Sequence, residues 1–389
     1  MSKSLGIVSK SGYIDRSLDL VGLVKKKSHF LFGPRQTGKS SLIRNSLPGI
    51  KVYNLLDSAT YLNLSQNPKQ IAQELSNTDQ FVVIDEVQRL PELLNEVHLL
   101  IEERGIKFLL TGSSARKLRR GGVNLLGGRA RTRYFHPLTF HELGGRFEIS
   151  RALNRGLLPS IYFSDDHRAD LQAYAGSYLQ EEIVAEGATR NAPAFSRFLR
   201  VAALCNGTIV NFTNVANDAQ VARTTVYEYF DILRDTLFIH ELPAWKKSTK
   251  RKPLSSSKYY FFDIGVAGFL QNRVFMPGTP EYGEAFETFL VNELIAWRDY
   301  QSGTNLTYWR SKSGFEVDLI LDDHTAVEIK AKEHLSSNDL KALKAIREEN
   351  KLKRYVCVCL ERHRRTVDNI DILPWKDFLT LLWSGEFGE

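Results

Sequence analysis

A chain of 389 residues is too long for one ordinary core and suits two or three domains. Hydrophobic residues at 43 % and charged residues at 25 % are globular proportions, which exclude wholesale disorder, and no apolar run reaches the roughly 18 residues of a membrane span. A net charge of +7 favours an anionic partner, of which nucleic acid is the usual one.

Met1-Ser2-Lys3-Ser4-Leu5-Gly6 opens the chain without the apolar stretch of a signal peptide, so the expected compartment is the cytoplasm, with no membrane association. The first half then alternates short apolar runs with amphipathic stretches. Strands are predicted at His29–Phe32, Lys51–Leu55, Phe81–Ile84 and Lys107–Thr111, and helical turns at Lys39–Ser46, Ile71–Leu75 and Leu93–Arg104. Such alternation implies a parallel sheet covered on both faces.

Between the first strand and the first helix lies Gly33-Pro34-Arg35-Gln36-Thr37-Gly38-Lys39-Ser40, followed by Ser41. This is the spacing of a phosphate-binding loop, G-x-x-x-x-G-K-[ST], in the strand–loop–helix context that gives it meaning. Glycines let the backbone wrap phosphate, and the helix N-terminus presents free N–H groups. Lys39 is expected to neutralise the β- and γ-phosphates of ATP and the Ser40 hydroxyl to ligate Mg²⁺. The third strand ends in Asp85-Glu86, where Asp85 would hold Mg²⁺ through water and Glu86 would polarise the attacking water. The fourth ends in Thr111-Gly112-Ser113-Ser114, small hydroxyls suited to sensing a γ-phosphate or to an ordinary turn. Gly127-Gly128-Arg129-Ala130-Arg131 then offers an arginine, Arg129 or Arg131, that can reach a neighbouring subunit's nucleotide.

Together, the loop, Ile84-Asp85-Glu86-Val87-Gln88-Arg89-Leu90-Pro91, Leu110-Thr111-Gly112-Ser113-Ser114 and Gly128-Arg129 resemble the AAA+-type ATPases whose C-terminal half is a DUF4143 domain. The resemblance spans nearly the whole chain. It implies an AAA+ core working as a homo-oligomer, with a hexamer favoured, and an arginine finger near Gly128-Arg129.

From Pro159 to Leu237 the pattern turns helical. Asn211–Thr236 reads as helix, turn, helix, the second helix carrying Val226, Phe230, Leu233 and Leu237 on its apolar face. Arg223, Thr224, Thr225, Tyr227 and Tyr229 fall elsewhere on it and could meet a DNA major groove. Trp245 to Lys258 carries Lys246, Lys247, Lys250, Arg251, Lys252 and Lys258 without one acid, and between two strands it would form a basic wing gripping phosphates. A solvated loop is the plain alternative.

In the last third, Glu287 sits in a helix from Glu284 to Trp297, Asp318 in the strand Phe315–Leu321, and Glu328 and Lys330 on one face of the strand Ala326–Lys330. Two acids plus a carbonyl would hold Mg²⁺ and Lys330 would orient or activate a water for phosphodiester attack, an arrangement that resembles the PD-(D/E)xK nucleases. Binding without cutting, and a solvated face, remain open. Lys341 to Arg365 could line a backbone channel or form an ordinary helix face. Of three cysteines, Cys357 and Cys359 would point to one face of a strand as buried thiols, since no second ligand pair for zinc lies nearby.

The expected fold is therefore α/β: an AAA+-type P-loop domain with a parallel sheet (1–155), a helical lid or linker (156–205), a winged helix-turn-helix (206–264) and a nuclease-like α/β domain (265–389). The expected function is an ATP-hydrolysing, DNA-binding ATPase, with branched DNA such as Holliday junctions among its targets. A nucleotide-dependent regulatory switch of the STAND type and an ATP-assembled, Mg²⁺-dependent nuclease are the alternatives.

Overall fold

Among the described residues, five parallel strands make the N-terminal sheet: β1 (Ser28–Phe32), β2 (Lys51–Asn54), β3 (Phe81–Asp85), β4 (Lys107–Gly112) and β5 (Ala130–Tyr134), in the order β2-β3-β4-β1-β5. The computed structural model describes residues 12–116, 118, 126–178 and 191–387, so the Met1–Gly6 opening lies outside it. The runs read as strands are strands; successive side chains point to opposite faces, so β1, β3 and β4, buried on both, are apolar almost throughout, whereas edge strand β2 is half-exposed. Phe30, Phe32, Val82, Ile84, Phe108 and Leu110 pack under the Leu93–Arg104 helix side. Leu31, Val83 and Leu109 face the opposite layer, with Leu20, Val24, Leu42 and Ile43 of the Leu20–Lys26 and Lys39–Ser46 helices.

Short helices follow: Ile149–Arg155, Pro159–Tyr162, His167–Gln172, Ala192–Leu204, Phe212–Ala219 and Arg223–Asp235. The last two form the expected helix pair. Strands β6 (Ile239–Leu242) and β7 (Lys258–Phe261) then pair antiparallel. Asp263 caps the Ile264–Gln271 helix by accepting from Val266 N at 3.0 Å, and its other oxygen accepts from Leu157 N at 2.6 Å. That carboxylate ties the end of the hairpin to the turn after Ile149–Arg155.

Among the described residues, the C-terminal sheet has six further strands, β8 to β13 in chain order, arranged β12-β13-β11-β10-β9-β8. Strands β8 (Leu306–Arg310), β9 (Glu316–Leu321) and β10 (Thr325–Lys330) form an antiparallel meander. Strand β11 (Arg354–Cys359) runs parallel to β10 and to β13 (Ile370–Pro374), and β12 (Arg365–Val367) closes the edge. The Pro280–Trp297 and Trp375–Trp383 helices cover one face and Lys341–Arg347 the other, where Cys357 and Cys359 are buried. One apolar cluster includes Leu138, Phe198, Leu233, Phe286 and Phe378, so the middle helices and the C-terminal domain share a continuous core.

Candidate functional site

The phosphate loop connects β1 to the Lys39–Ser46 helix. Gly38 has φ +96°, a left-handed conformation that a side chain disfavours, and this turns the backbone into the helix N-terminus. Lys39 Nζ is buried inside the loop and donates to the carbonyls of Gly33 (2.5 Å) and Pro34 (3.0 Å). Thr37 Oγ1 donates to the Pro34 carbonyl at 2.8 Å, which fixes the loop from within.

Strand order brings the acids to this loop. Because β1, β4 and β3 lie side by side and run parallel, the C-terminal ends of all three strands open on one edge of the sheet. There Ser40 Oγ donates to Asp85 Oδ2 at 3.0 Å, and Thr111 Oγ1 donates to Asp85 Oδ1. A hydroxyl and a carboxylate oxygen on one spot are hard ligands that suit Mg²⁺, which completes its shell with water and phosphate oxygens. Glu86 is also buried. Burial pushes its carboxyl up from the ordinary value, while the Lys39 ammonium and a hydrogen bond from Gln88 oppose the shift. Gln88 Nε2 donates to Glu86 Oε2 at 2.5 Å and to Ser113 Oγ at 3.1 Å, so the end of β4 holds the Glu86 side chain in place.

Beside Gly38 and Ser41 opens a cavity of about 800 Å³ lined by Tyr13, Arg16, Arg44, Arg146, Pro159 and Phe163. It is large enough for a nucleoside continuing from the phosphate loop. Arg16 ties the phosphate loop beside this cavity to the segment that follows β5. Its Nη1 donates to the Thr37 carbonyl (2.7 Å), and its Nη2 to those of His136 (2.7 Å) and Pro137 (3.0 Å). It also pairs with Glu142 at 3.0 Å and lies 4.1 Å from the Phe135 ring centroid. Ser160 Oγ donates to Gln36 Oε1 at 3.0 Å and Tyr174 OH to the Arg35 carbonyl at 3.3 Å, so the helices after residue 155 touch the loop directly. Sequence reasoning missed Arg16 and Tyr13, since they belong to no local motif.

Residues 25–144 match the family described as AAA domain, 146–274 a domain of unknown function (DUF8612), and 282–378 a domain of unknown function (DUF4143). The chain carries an N-terminal AAA domain and a C-terminal DUF4143 domain. Uncharacterized proteins of Mycobacterium tuberculosis and Mycobacterium bovis are each 27 % identical over 305 residues, 75 % of this chain and 67 % of theirs. One from Methanocaldococcus jannaschii is 23 % identical over 352 residues, 82 % of this chain and 77 % of its own. Among solved structures, a STAND protein with a tetratricopeptide repeat sensor from Pyrococcus horikoshii aligns at 13 % identity and TM-score 0.24, over 74 % of this chain. This chain spans only 47 % of that protein's length. Can2 from Sulfobacillus thermosulfidooxidans, in complex with cyclic tetra-adenylate, aligns at 10 % identity and TM-score 0.22, over 93 % of this chain and 100 % of that one.

Within the AAA domain, Arg129 precedes β5 at the end of the sheet opposite the phosphate loop, since Ala130 pairs with Ser28 and Tyr134 with Phe32. Four residues of strand, about 13 Å, separate those ends. There Arg129 is paired with Glu102, and it does not meet its own chain's Lys39.

On the helix pair, Arg223, Thr224 and Tyr227 are exposed and Thr225 is half-buried. Arg223 Nη2 donates to Tyr227 OH at 3.0 Å, and the Tyr227 ring stacks on Phe212 at 4.2 Å. Tyr229 departs from expectation. It is 4 % exposed and packs against Phe195 and Phe198, so it belongs to the core face.

The basic segment is not a free wing. Trp245 N donates to the Tyr308 carbonyl (2.6 Å) and Leu254 N to that of Arg310 (2.8 Å), which lays the segment along β8 of the DUF4143 domain. Glu349 accepts from the backbone N–H groups of Thr249, Lys250 and Arg251. Lys247 pairs with Asp323 and Arg251 with Glu348, while Lys246, Lys250 and Lys252 are exposed. Lys258 is buried at 3 % exposure, against Glu287 (3.4 Å) and Glu316 (2.5 Å), and cannot grip a phosphate from there.

In the DUF4143 domain, Asp318, Glu328 and Lys330 gather on the β9–β10 pair. Asp318 Oδ2 accepts from Ile329 N at 2.7 Å, and Lys330 Nζ lies 2.5 Å from Glu328 Oε1. Burial, with the neighbouring carboxylates, pushes the Asp318 carboxyl well up. Glu287 is engaged by Tyr260 OH (2.7 Å) and Lys258 instead. Glu287 nonetheless lies close enough for its charge to raise both the Asp318 and the Glu328 carboxyls, and among the described residues no group of three His, Cys, Asp or Glu side chains is gathered as a metal site.

Proposed function

We propose that this protein hydrolyses ATP at the edge where β1, β3 and β4 end, and that DNA is its partner. The observation carrying the ATPase reading is the Ser40–Asp85 hydrogen bond beside a buried Glu86. Ser40 and Asp85 would hold Mg²⁺, which when bound supplies positive charge to the β- and γ-phosphates. Lys39 leaves its loop carbonyls for the phosphate oxygens, the loop N–H groups cradle them, and Glu86 takes the proton of the attacking water. Arg129, at the far end of the sheet, suits the nucleotide of a second copy, which supports a homo-oligomer such as a hexameric ring. Arg129→Ala would then lower turnover per site without weakening ATP binding, and unchanged turnover would remove the arginine from the mechanism.

DNA contact is supported by the exposed N-terminal end of the Arg223–Asp235 helix and by exposed Lys246, Lys250 and Lys252. A switch acting on protein partners is the second reading, favoured by the docking of the basic segment onto β8 and its pairing with Asp323 and Glu348. ATPase assays with duplex, single-stranded and four-way junction DNA separate them. A several-fold higher rate with one form, the junction included, supports the DNA reading. A rate indifferent to all three leaves the switch.

A further inference from the structure

The end of β4 reaches in two directions. Inward, Thr111 binds Asp85, and Ser113 shares Gln88 with Glu86. Outward, Arg116 N donates to Ser114 Oγ at 3.2 Å, and Arg116 Nη1 lies 2.9 Å from Asp235 Oδ2. Asp235 is the last residue of the Arg223–Asp235 helix. A contiguous set of hydrogen bonds and short turns thus runs from Glu86 to the helix whose other end is exposed.

Two further features suit this contact to movement. Among the described residues, Arg116 Nε is buried with no hydrogen-bond acceptor, so the guanidinium can turn to another oxygen without giving up a bond at that nitrogen. A cavity of about 310 Å³ lies where the helix end meets the AAA domain, lined by Pro34, Ala115, His136, Asp235 and Leu237 among others. The helix end is therefore not packed solid against the phosphate loop and has room to shift, whereas a close-packed contact would resist it.

We propose that Arg116 is a positioning residue that couples the nucleotide held at the phosphate loop to the placement of the Arg223–Asp235 helix. A γ-phosphate against the Thr111–Ser114 turn recruits its hydroxyls, the turn moves Arg116, and Arg116 carries Asp235 with it. By linkage, a partner that favours one helix placement changes nucleotide affinity by the same factor. This rests on reading the AAA domain as a nucleotide site, and it does not depend on whether the partner is DNA.

Hydrogen exchange across residues 212–235 tests the coupling, with the full chain in Mg·ADP and in Mg with a non-hydrolysable ATP analogue. The wild-type protein should differ between the two states by about fivefold or more in protection. Arg116→Gln and Asp235→Asn should each abolish that difference while fluorescent-nucleotide affinity stays within about twofold, and Arg116→Lys, which can still pair with Asp235, should restore part of it. A purely structural pair would lower protection equally in both nucleotide states. That outcome, or a difference that persists in Arg116→Gln, or none in nucleotide-bound wild type, overturns the proposal. If the wild-type protein binds neither nucleotide, the ATPase reading falls and this proposal with it.

Discussion

Ser40, on the helix after β1, and Asp85, at the end of β3, meet at 3.0 Å although β1 and β3 are not neighbours. Strand β4 lies between them and supplies Thr111 to the other oxygen of Asp85. This puts Glu86, one residue on, under the influence of the Lys39 charge and, in the proposed ATPase reading, in place to act on the attacking water. Glu86→Gln is therefore expected to keep ATP binding and lose turnover by about 100-fold or more, whereas Lys39→Ala weakens binding itself. The pH profile adds a signature. A base must be ionised, and burial raises the Glu86 carboxyl above its ordinary 4.5. Turnover should fall as pH drops, with a midpoint above 4.5, and Glu86→Gln should remove that limb. Normal turnover in Glu86→Gln would mean that another group takes the proton.

Much of the nucleotide site was legible because it is local. The phosphate loop and Asp85-Glu86 each sit at the end of an apolar run buried on both faces, and such runs are readable without tertiary knowledge. Strand β5 escaped because Ala130-Arg131-Thr132-Arg133-Tyr134 is a half-exposed edge strand whose arginines look like loop. Arg16 escaped because its acceptors lie 21 to 121 residues away. The basic segment misled for the opposite reason. It contains no acid of its own, and the carboxylates that answer it, Glu287, Glu316, Asp323 and Glu349, come from a domain further along the chain.

Lys258 gives the sharpest test of that correction. Its ammonium is held between Glu287 and Glu316, whose charges outweigh the effect of burial and raise its pKa. A raised lysine pKa contributes stability below its ordinary 10.5, so the contribution is fully present across neutral pH. Lys258→Met should remove a counter-charge from half-buried Glu287 and Glu316, which keep Tyr260 and Arg310 as partners, and destabilise the fold by about 1–3 kcal/mol in denaturant titration at pH 7. The loss should shrink as pH falls and those acids take up protons. An exposed phosphate-gripping lysine would show almost no change.

Gly265 tests the junction between the middle helices and the hairpin. A Cβ there would lie 2.3 Å from the carbonyl carbon of Arg155 and from Gly156 N, both backbone atoms that cannot swing away. The contact is pinned by Asp263 through Leu157 N. Gly265→Ala should destabilise by about 1–3 kcal/mol or more, as overpacking does, even though alanine favours a helix. A melting temperature equal to wild type would show that the two segments separate freely.

Arg223 decides whether the exposed helix end meets DNA. It lies with Thr224 at the start of the Arg223–Asp235 helix, held over the Tyr227 ring at 5.6 Å, while Glu228 and Asp231 on the same helix repel phosphate. Any contact must therefore concentrate at the first turn. If Arg223 binds a phosphate, Arg223→Ala should weaken binding to all sequences alike and reduce the slope of log affinity against log salt by about one. If it reads a base, discrimination at one position should relax at a cost of about 1–3 kcal/mol. Replacing exposed Lys246, Lys250 and Lys252 together by alanine should reduce the slope by up to about three. Paired Lys247 should contribute less than any of them, because binding DNA first requires breaking its contact with Asp323. Affinities and slopes unchanged in both the arginine and the triple-lysine variants would assign this face to another partner.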